Sequence, residues 1–218
     1  MDKKFIVTIS AFAFLALAIG LLIPGGDTQK TQTLPWQIEH TADGTTRVFG
    51  LTLGQTTLQQ AEQRLRSAAK ISVIAAVDKP PVIEAYFDNT SSAGLSARMV
   101  MEIDVPGQQI QTMLEHGERI STLASGARKV SLGDDDLATV RRSPINSITY
   151  LPRIRLQPDL IRQRFGEPSQ RIVEPGGDIT HWLYPDLGLD IALHDTGRAV
   201  LQYVTPSRFS ELRRPLGP

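Results

Sequence analysis

The 218-residue chain contains no cysteine. That absence excludes thiol catalysis, disulfide cross-linking, iron–sulfur ligation, zinc knuckles and a lipid attached through a lipobox cysteine. A charge excess is missing as well, because 23 basic side chains meet 23 acidic ones. Phosphate backbones are held by a basic surplus that releases counterions, so nucleic acid is excluded as the main partner. Aromatic residues are few, at 6%, and Gly and Pro stay at ordinary levels, which excludes collagen-like and low-complexity chains. Catalytic signatures are also absent. There is no Gly-x-Ser-x-Gly elbow and no His-Glu-x-x-His pair, and Gly176-Gly177 is too short for a phosphate loop. The expectation is a protein that is not an enzyme and carries no cofactor.

What is present is apolar material, 41% of the chain, enough to bury a core. Its longest run, Phe5 to Ile23, is uncharged, follows Lys3-Lys4 and stops at Pro24-Gly25-Gly26. As a helix it would measure about 28 Å, close to the hydrocarbon thickness of a bilayer. The lysines on its short side predict a cytoplasmic N-terminus and an exported remainder. Cleavage after Ala16-Leu17-Ala18 is the competing reading, but it would leave Ile19–Ile23 as an apolar terminus. Both readings predict a periplasmic domain in the bacterial cell envelope, and the anchor reading places it at the inner membrane as a single-pass protein.

Beyond the anchor (residues 1–26) and a polar tether (27–35), two stretches repeat one pattern. Residues 36–106 open with a hairpin across Ala42-Asp43-Gly44. A helix capped by Thr57, with Gln60 three residues on, follows, and then strands at 71–77, 82–87 and 97–104. Residues 107–155 read as a mostly helical connector ending in a strand or extended segment at 145–151. Residues 156–218 return to a short helix from Pro158, stopped at Gly166-Glu167-Pro168, and then strands at 170–173, 179–184, 189–194 and 199–204. The predicted class is therefore α+β, an N-terminal transmembrane helix followed by two helix-plus-antiparallel-meander modules.

The clearest register lies in the second module. If residues 185–188 close a hairpin, Tyr184 faces Leu189, Trp182 faces Ile191 and Thr180 faces Leu193, all on the dry face. The opposite, wet face would carry Ile179, His181, Leu183, Asp190, Ala192 and His194. The next loop leaves two registers open. A three-residue loop buries Ala199, Leu201 and Tyr203, whereas a two-residue loop buries Val200 and Val204.

Leu156–Pro168, with His181-Trp182-Leu183-Tyr184 and Gly188-Leu189, resembles the helix–Gly-x-Pro–sheet signature of outer-membrane assembly lipoproteins of the BamE (SmpA/OmlA) type. Gly166, Pro168, Trp182, Tyr184 and Gly188 carry that signature. Phe49–Thr56 resembles the opening of the same module. Two such modules in tandem would resemble the β-lactamase inhibitory protein. The chain departs from the family in lacking the lipobox Cys and a Gly-x-Pro after its first helix. The resemblance implies a binding module and carries over no active site.

His181, Asp190 and His194 fall on one predicted face of neighbouring strands and form the candidate metal set, two imidazoles and a carboxylate. The competing reading is a solvent-facing polar row. Asp134-Asp135-Asp136 complements a helix dipole better than it chelates a cation. Arg141-Arg142, Arg153, Arg155, Arg162 and Arg164 read as solvated surface, with anionic headgroups or an acidic partner as the alternative. The function expected is a non-catalytic adaptor that binds another envelope protein through the sheet face opposite the core or the groove between modules. The alternatives are a carrier or sensor for a small apolar ligand or lipid and, more distantly, a hydrolase using His181 or His194.

Overall fold

Strand alternation proves to be the organising signal throughout, and it extends further than the two-module reading allows. The computed structural model describes residues 34–77, 79–92 and 94–217. Thirteen strands form within them. Glu39–His40 (β1), Thr46–Val48 (β2) and Leu51–Thr52 (β3) make a small three-stranded sheet. The other ten form one antiparallel sheet: Lys70–Ala75 (β4), Val82–Ser92 (β5), Leu95–Ile103 (β6), Arg119–Thr122 (β7), Arg128–Ser131 (β8), Ile145–Pro152 (β9), Gln170–Val173 (β10), Ile179–Tyr184 (β11), Leu189–His194 (β12) and Ala199–Tyr203 (β13). Their spatial order is β10-β11-β12-β13-β9-β6-β5-β4-β8-β7. Five short helices accompany them, Leu58–Leu65 (α1), Gly107–Glu115 (α2), Asp134–Arg142 (α3), Pro158–Phe165 (α4) and Phe209–Arg213 (α5).

The expected α+β pair of helix-plus-meander modules is thereby overturned, because the protein is mostly β and its main sheet runs through both halves. The reason lies in β9. Two separate meanders would each leave an open edge, at β6 and at β13, with unpaired backbone groups. β9 pairs with both and removes both edges. The segment 107–155 is likewise not a mostly helical connector, since β7, β8 and β9 all lie within it. Gly126, at φ 84°, turns the β7–β8 hairpin, and that hairpin extends the sheet beyond β4. Thr33–Pro218 forms one compact unit, so the boundaries at 106 and 155 do not separate bodies.

The inner-membrane, single-pass assignment is also corrected. Among the described residues no helix is long and apolar enough to cross a membrane. The proposed span Phe5–Ile23, and most of the tether at 27–35, lie outside the described residues.

On one face of the large sheet the core is continuous. Trp182, Ile191, Leu201, Tyr150, Met99 and Phe87 occupy in-register positions on successive strands from β11 to β5, and all are buried. Leu58 and Ala61 of α1, Ile110 and Met113 of α2, Val140 of α3, Ile161 of α4, and Val48 and Leu51 of the small sheet pack in the same cluster. Each large aliphatic side chain buried there contributes ~1.5–3 kcal/mol, so a one-residue slip of any central strand is strongly disfavoured. Thr57 and Gln60 form the expected reciprocal capping box on α1. Glu62 of α1 accepts a 3.3 Å hydrogen bond from Arg141 Nε of α3 and joins the two helices.

The β11–β12 register is the predicted one, with Tyr184 opposite Leu189, Trp182 opposite Ile191 and Thr180 opposite Leu193. The next loop has three residues. The His194 amide donates to the Arg198 carbonyl at 2.8 Å, which buries Ala199, Leu201 and Tyr203. The resemblance residues have local explanations. Gly166 ends α4 at φ 82°, and its carbonyl accepts the Tyr184 hydroxyl at 3.1 Å. The carbonyl of Gly188 accepts the Val204 amide at 2.9 Å while the residue itself sits at φ 61°. A Cβ at Gly188 would lie 2.1 Å from the Val204 carbonyl oxygen. Backbone cannot yield as a side-chain tip does, so Gly188→Ala is expected to cost about 3 kcal/mol in urea unfolding. The same substitution at Gly177, also at positive φ but with nothing within 4 Å of a Cβ, costs about 1 kcal/mol.

Candidate functional site

The second face of the sheet has no helical layer over its centre. In register across it run Leu183, Asp190, Gln202, Thr149, Val100 and Tyr86, and beside them Ser147, Glu102, Glu84 and Ser72. At one end the C-terminal segment crosses this face. A 3₁₀ turn at Pro206–Arg208, α5 and a second turn at Arg214–Leu216 bury Phe209 against Leu183 and Val204, with Ile172, Leu212 and Leu216 around them. Leu183, His181 and Asp190 are therefore buried, where alternation predicted a wet face.

Between that segment and the β4–β5 turn lies a groove of about 540 Å³. Val82, Val100, Val204 and Leu212 give it apolar walls, and Glu84, Glu102, Ser147, Thr149 and Gln202 supply its polar floor. Glu84 and Glu102 are direct cross-strand partners. Cβ atoms in such pairs stand ~4.5–5.5 Å apart, where like charges repel. Asn146 Nδ2 donates to Glu102 at 3.1 Å and Ser147 Oγ donates to it at 3.4 Å. Neither glutamate makes an ion pair among the described residues. Burial first, and the Glu102 charge second, push the Glu84 carboxyl above its usual value, with Lys129 opposing them. Arg208 lines the groove but is held by Glu211, at 3.0 Å from Nε.

His181 has become the centre of a buried polar relay. Its Nδ1 lies 2.8 Å from Asp190 Oδ2 and its Nε2 2.9 Å from Glu174 Oε1. Only the imidazolium offers two donors, so both contacts are made best by charged His181. Desolvation works against that charge, but the hydrogen bonds to Glu174 and Asp190 outweigh it and raise the His181 pKa. Burial pushes the Asp190 carboxyl up, while its bond to His181 pulls the other way. Asp190 Oδ1 is buried without a partner among the described residues.

The candidate metal set is not assembled. His194 sits a register row away, opposite Ile179, and its Nδ1 accepts the Thr196 amide at 3.1 Å. Both nitrogens of His181 are engaged by carboxylates, and among the described residues no three His, Asp or Glu side chains converge as ligands. Sequence reasoning missed Glu174, which lies just after β10 and reaches His181 across the strand pair. It also missed Glu84, whose only signal was a lone carboxylate in the apolar strand Val82–Phe87. Asp134-Asp135-Asp136 forms the first turn of α3, and four of the arginines, Arg141, Arg153, Arg162 and Arg164, are engaged within the protein. Arg153 reaches the Asp88 carbonyl, Arg162 pairs with Asp159 and Glu167, and Arg164 stacks over Trp36 at 4.6 Å.

Set against known proteins, the chain matches no family model, no curated protein and no solved structure. The fold and the groove define its class, a mostly β protein with one closed and one open sheet face.

The relay predicts a pH-dependent stability. A His with a raised folded pKa stabilises fully below its unfolded value near 6.5 and loses that contribution as pH rises through the folded value. Removing one partner of a buried pair leaves the other charge uncompensated. His181→Ala is therefore expected to cost about 3 kcal/mol at pH 6, and the difference from the parent protein narrows by pH 9 in urea titrations. The glutamate pair carries the opposite sign. Glu84 has a raised pKa, so its ionisation opposes folding, and Glu84→Gln is expected to stabilise the protein by about 0.5 kcal/mol at pH 7. That gain shrinks in thermal melts as pH falls through the raised Glu84 pKa and this carboxyl takes up its proton.

Proposed function

We propose that this protein is a non-catalytic binding module that docks an extended segment of a partner protein in the groove of the open sheet face, with a basic side chain of the partner between Glu84 and Glu102. The observation that carries the reading is the pair itself. Two carboxylates stand side by side on neighbouring strands in a groove with apolar walls, and among the described residues neither makes an ion pair, although Lys79 and Arg208 also line the groove. A fold does not retain such a repulsion for stability, and a guanidinium from outside would relieve it with parallel hydrogen bonds. The walls suit the side chains that flank such a residue in an extended segment. The groove is floored by strands ~4.8 Å apart, wide enough to take a peptide laid along it.

The test uses two peptides, acetyl-Thr-Val-Arg-Val-Thr-amide and the same sequence with citrulline in place of Arg. The Arg peptide is expected to bind at least tenfold tighter, and its affinity falls as salt rises and as pH drops through the raised Glu84 pKa. Glu84→Gln with Glu102→Gln removes the preference for Arg and leaves the protein folded. Because the chain has no Cys, Gln202→Cys gives a unique label in the groove whose fluorescence should respond to the peptide. Equal affinity for the two peptides, or an Arg preference that survives the double substitution, would overturn the reading.

A further inference from the structure

The two glutamates of the groove are held differently. Among the described residues Glu84 accepts no hydrogen bond. Glu102 accepts two, from Asn146 Nδ2 to Oε1 at 3.1 Å and from Ser147 Oγ to Oε2 at a longer 3.4 Å. Asn146 and Ser147 are consecutive in β9. Regular alternation sends consecutive side chains to opposite faces of a sheet, so two such donors cannot ordinarily reach one carboxylate.

A β-bulge removes that restriction. Glu102 pairs with Ser147 and Ile103 with Ile145, which leaves Asn146 as an extra residue with no partner on β6. Burial shows the same break of phase, because Ile145 and Ile148 both lie in the core although they are three positions apart. The backbone of the bulge is tied as well. Glu211 holds Arg208 at Nε and Nη2, 3.0 and 2.6 Å away, and Arg208 Nη1 donates to the Asn146 carbonyl at 3.5 Å. The C-terminal segment, the bulge and Glu102 thus form one chain of contacts.

The two donors decide what Glu102 has left to offer. An ionised carboxylate has about four acceptor positions, two on each oxygen. One on each oxygen is filled here, and one on each stays open. Two open acceptors on a carboxylate held at both oxygens match the parallel N–H pair of a guanidinium. An ammonium is a point charge that satisfies one of them and leaves the other unmet in a half-buried groove. Glu84 has no hydrogen bond to hold it and adjusts to either cation.

We propose that the Asn146 bulge makes the groove selective for arginine over lysine, with Asn146 as the positioning residue of Glu102 and Arg208 as the tie that steadies the bulge. This selectivity rests on the docking of a partner's basic side chain between Glu84 and Glu102.

The experiment titrates the full chain calorimetrically with acetyl-Thr-Val-Arg-Val-Thr-amide and with its Lys and citrulline counterparts. The Arg peptide is expected to bind about five- to tenfold tighter than the Lys peptide, the factor that one hydrogen bond supplies. Asn146→Ala removes the firmer donor, so the Arg-to-Lys ratio falls to within about twofold of unity while Lys affinity changes little. Ser147→Ala, a milder change at a regular strand position, lowers the ratio by about twofold. Arg208→Gln tightens both peptides together by removing a cation beside the groove, and it also lowers the ratio by about twofold as the bulge loosens. Overall charge and the folded fraction act on both peptides alike, so a merely structural role for Asn146 would leave the ratio unchanged. Equal Arg and Lys affinities in the parent protein, both above citrulline, overturn the selectivity and leave the groove reading standing. A ratio that survives Asn146→Ala or Arg208→Gln overturns the proposal as well. An Arg peptide that binds no better than the citrulline peptide sinks both readings.

Discussion

The pairing of β9 with β6 on one side and β13 on the other is the constraint on which the molecule depends. Neither neighbour could tolerate its absence, because each would present an unpaired edge in the middle of the chain's apolar surface. Ile148 and Tyr150 of β9 fill the core row between the two halves, and Thr149 and Ser147 lie between them on the other face. One eight-residue strand therefore fixes two surfaces at once. It closes the core between the meanders and lays a polar floor that neither meander owns.

The two faces then meet different requirements. The core face is covered by α1 to α4 and the small sheet. The second face receives a single short cover, the C-terminal segment, anchored by Phe209 on Leu183 and Val204. Beside that cover His181 and Asp190 are buried, while Glu174, 40% exposed, joins His181 from the water side. Beyond it the glutamate pair stays half-buried in the groove. Both clusters place charge close to apolar surface, but His181 bonds both carboxylates of the relay, whereas Lys129 and Arg208 act on the glutamate pair only at a distance.

Much of the local structure could be read directly from residue order. Thr57 and Gln60 announce the start of α1 through capping chemistry that involves only neighbours. The β11–β12 register follows from alternation around a short turn, and Gly166 marks the end of α4. The β7–β8 hairpin was missed because Arg119–Ser131 is short and carries only two apolar strand positions, Ile120 and Val130, and Val130 shows its purpose only beside Val73. The wet-face assignment of His181 and Leu183 failed because alternation separates two faces without saying what covers either.

Sequence by itself determined the exclusion of thiol chemistry, the balance of charge, the capped helix, and the register and dry face of the β11–β12 hairpin. These depend on composition or on residues a few positions apart, where backbone geometry leaves few choices. Tertiary structure decided that β9 joins the two meanders, that Glu174 reaches His181 and that Glu84 meets Glu102. Each of those outcomes turns on which distant strands become neighbours, and that choice is made by the burial of the whole core rather than by any one segment of it.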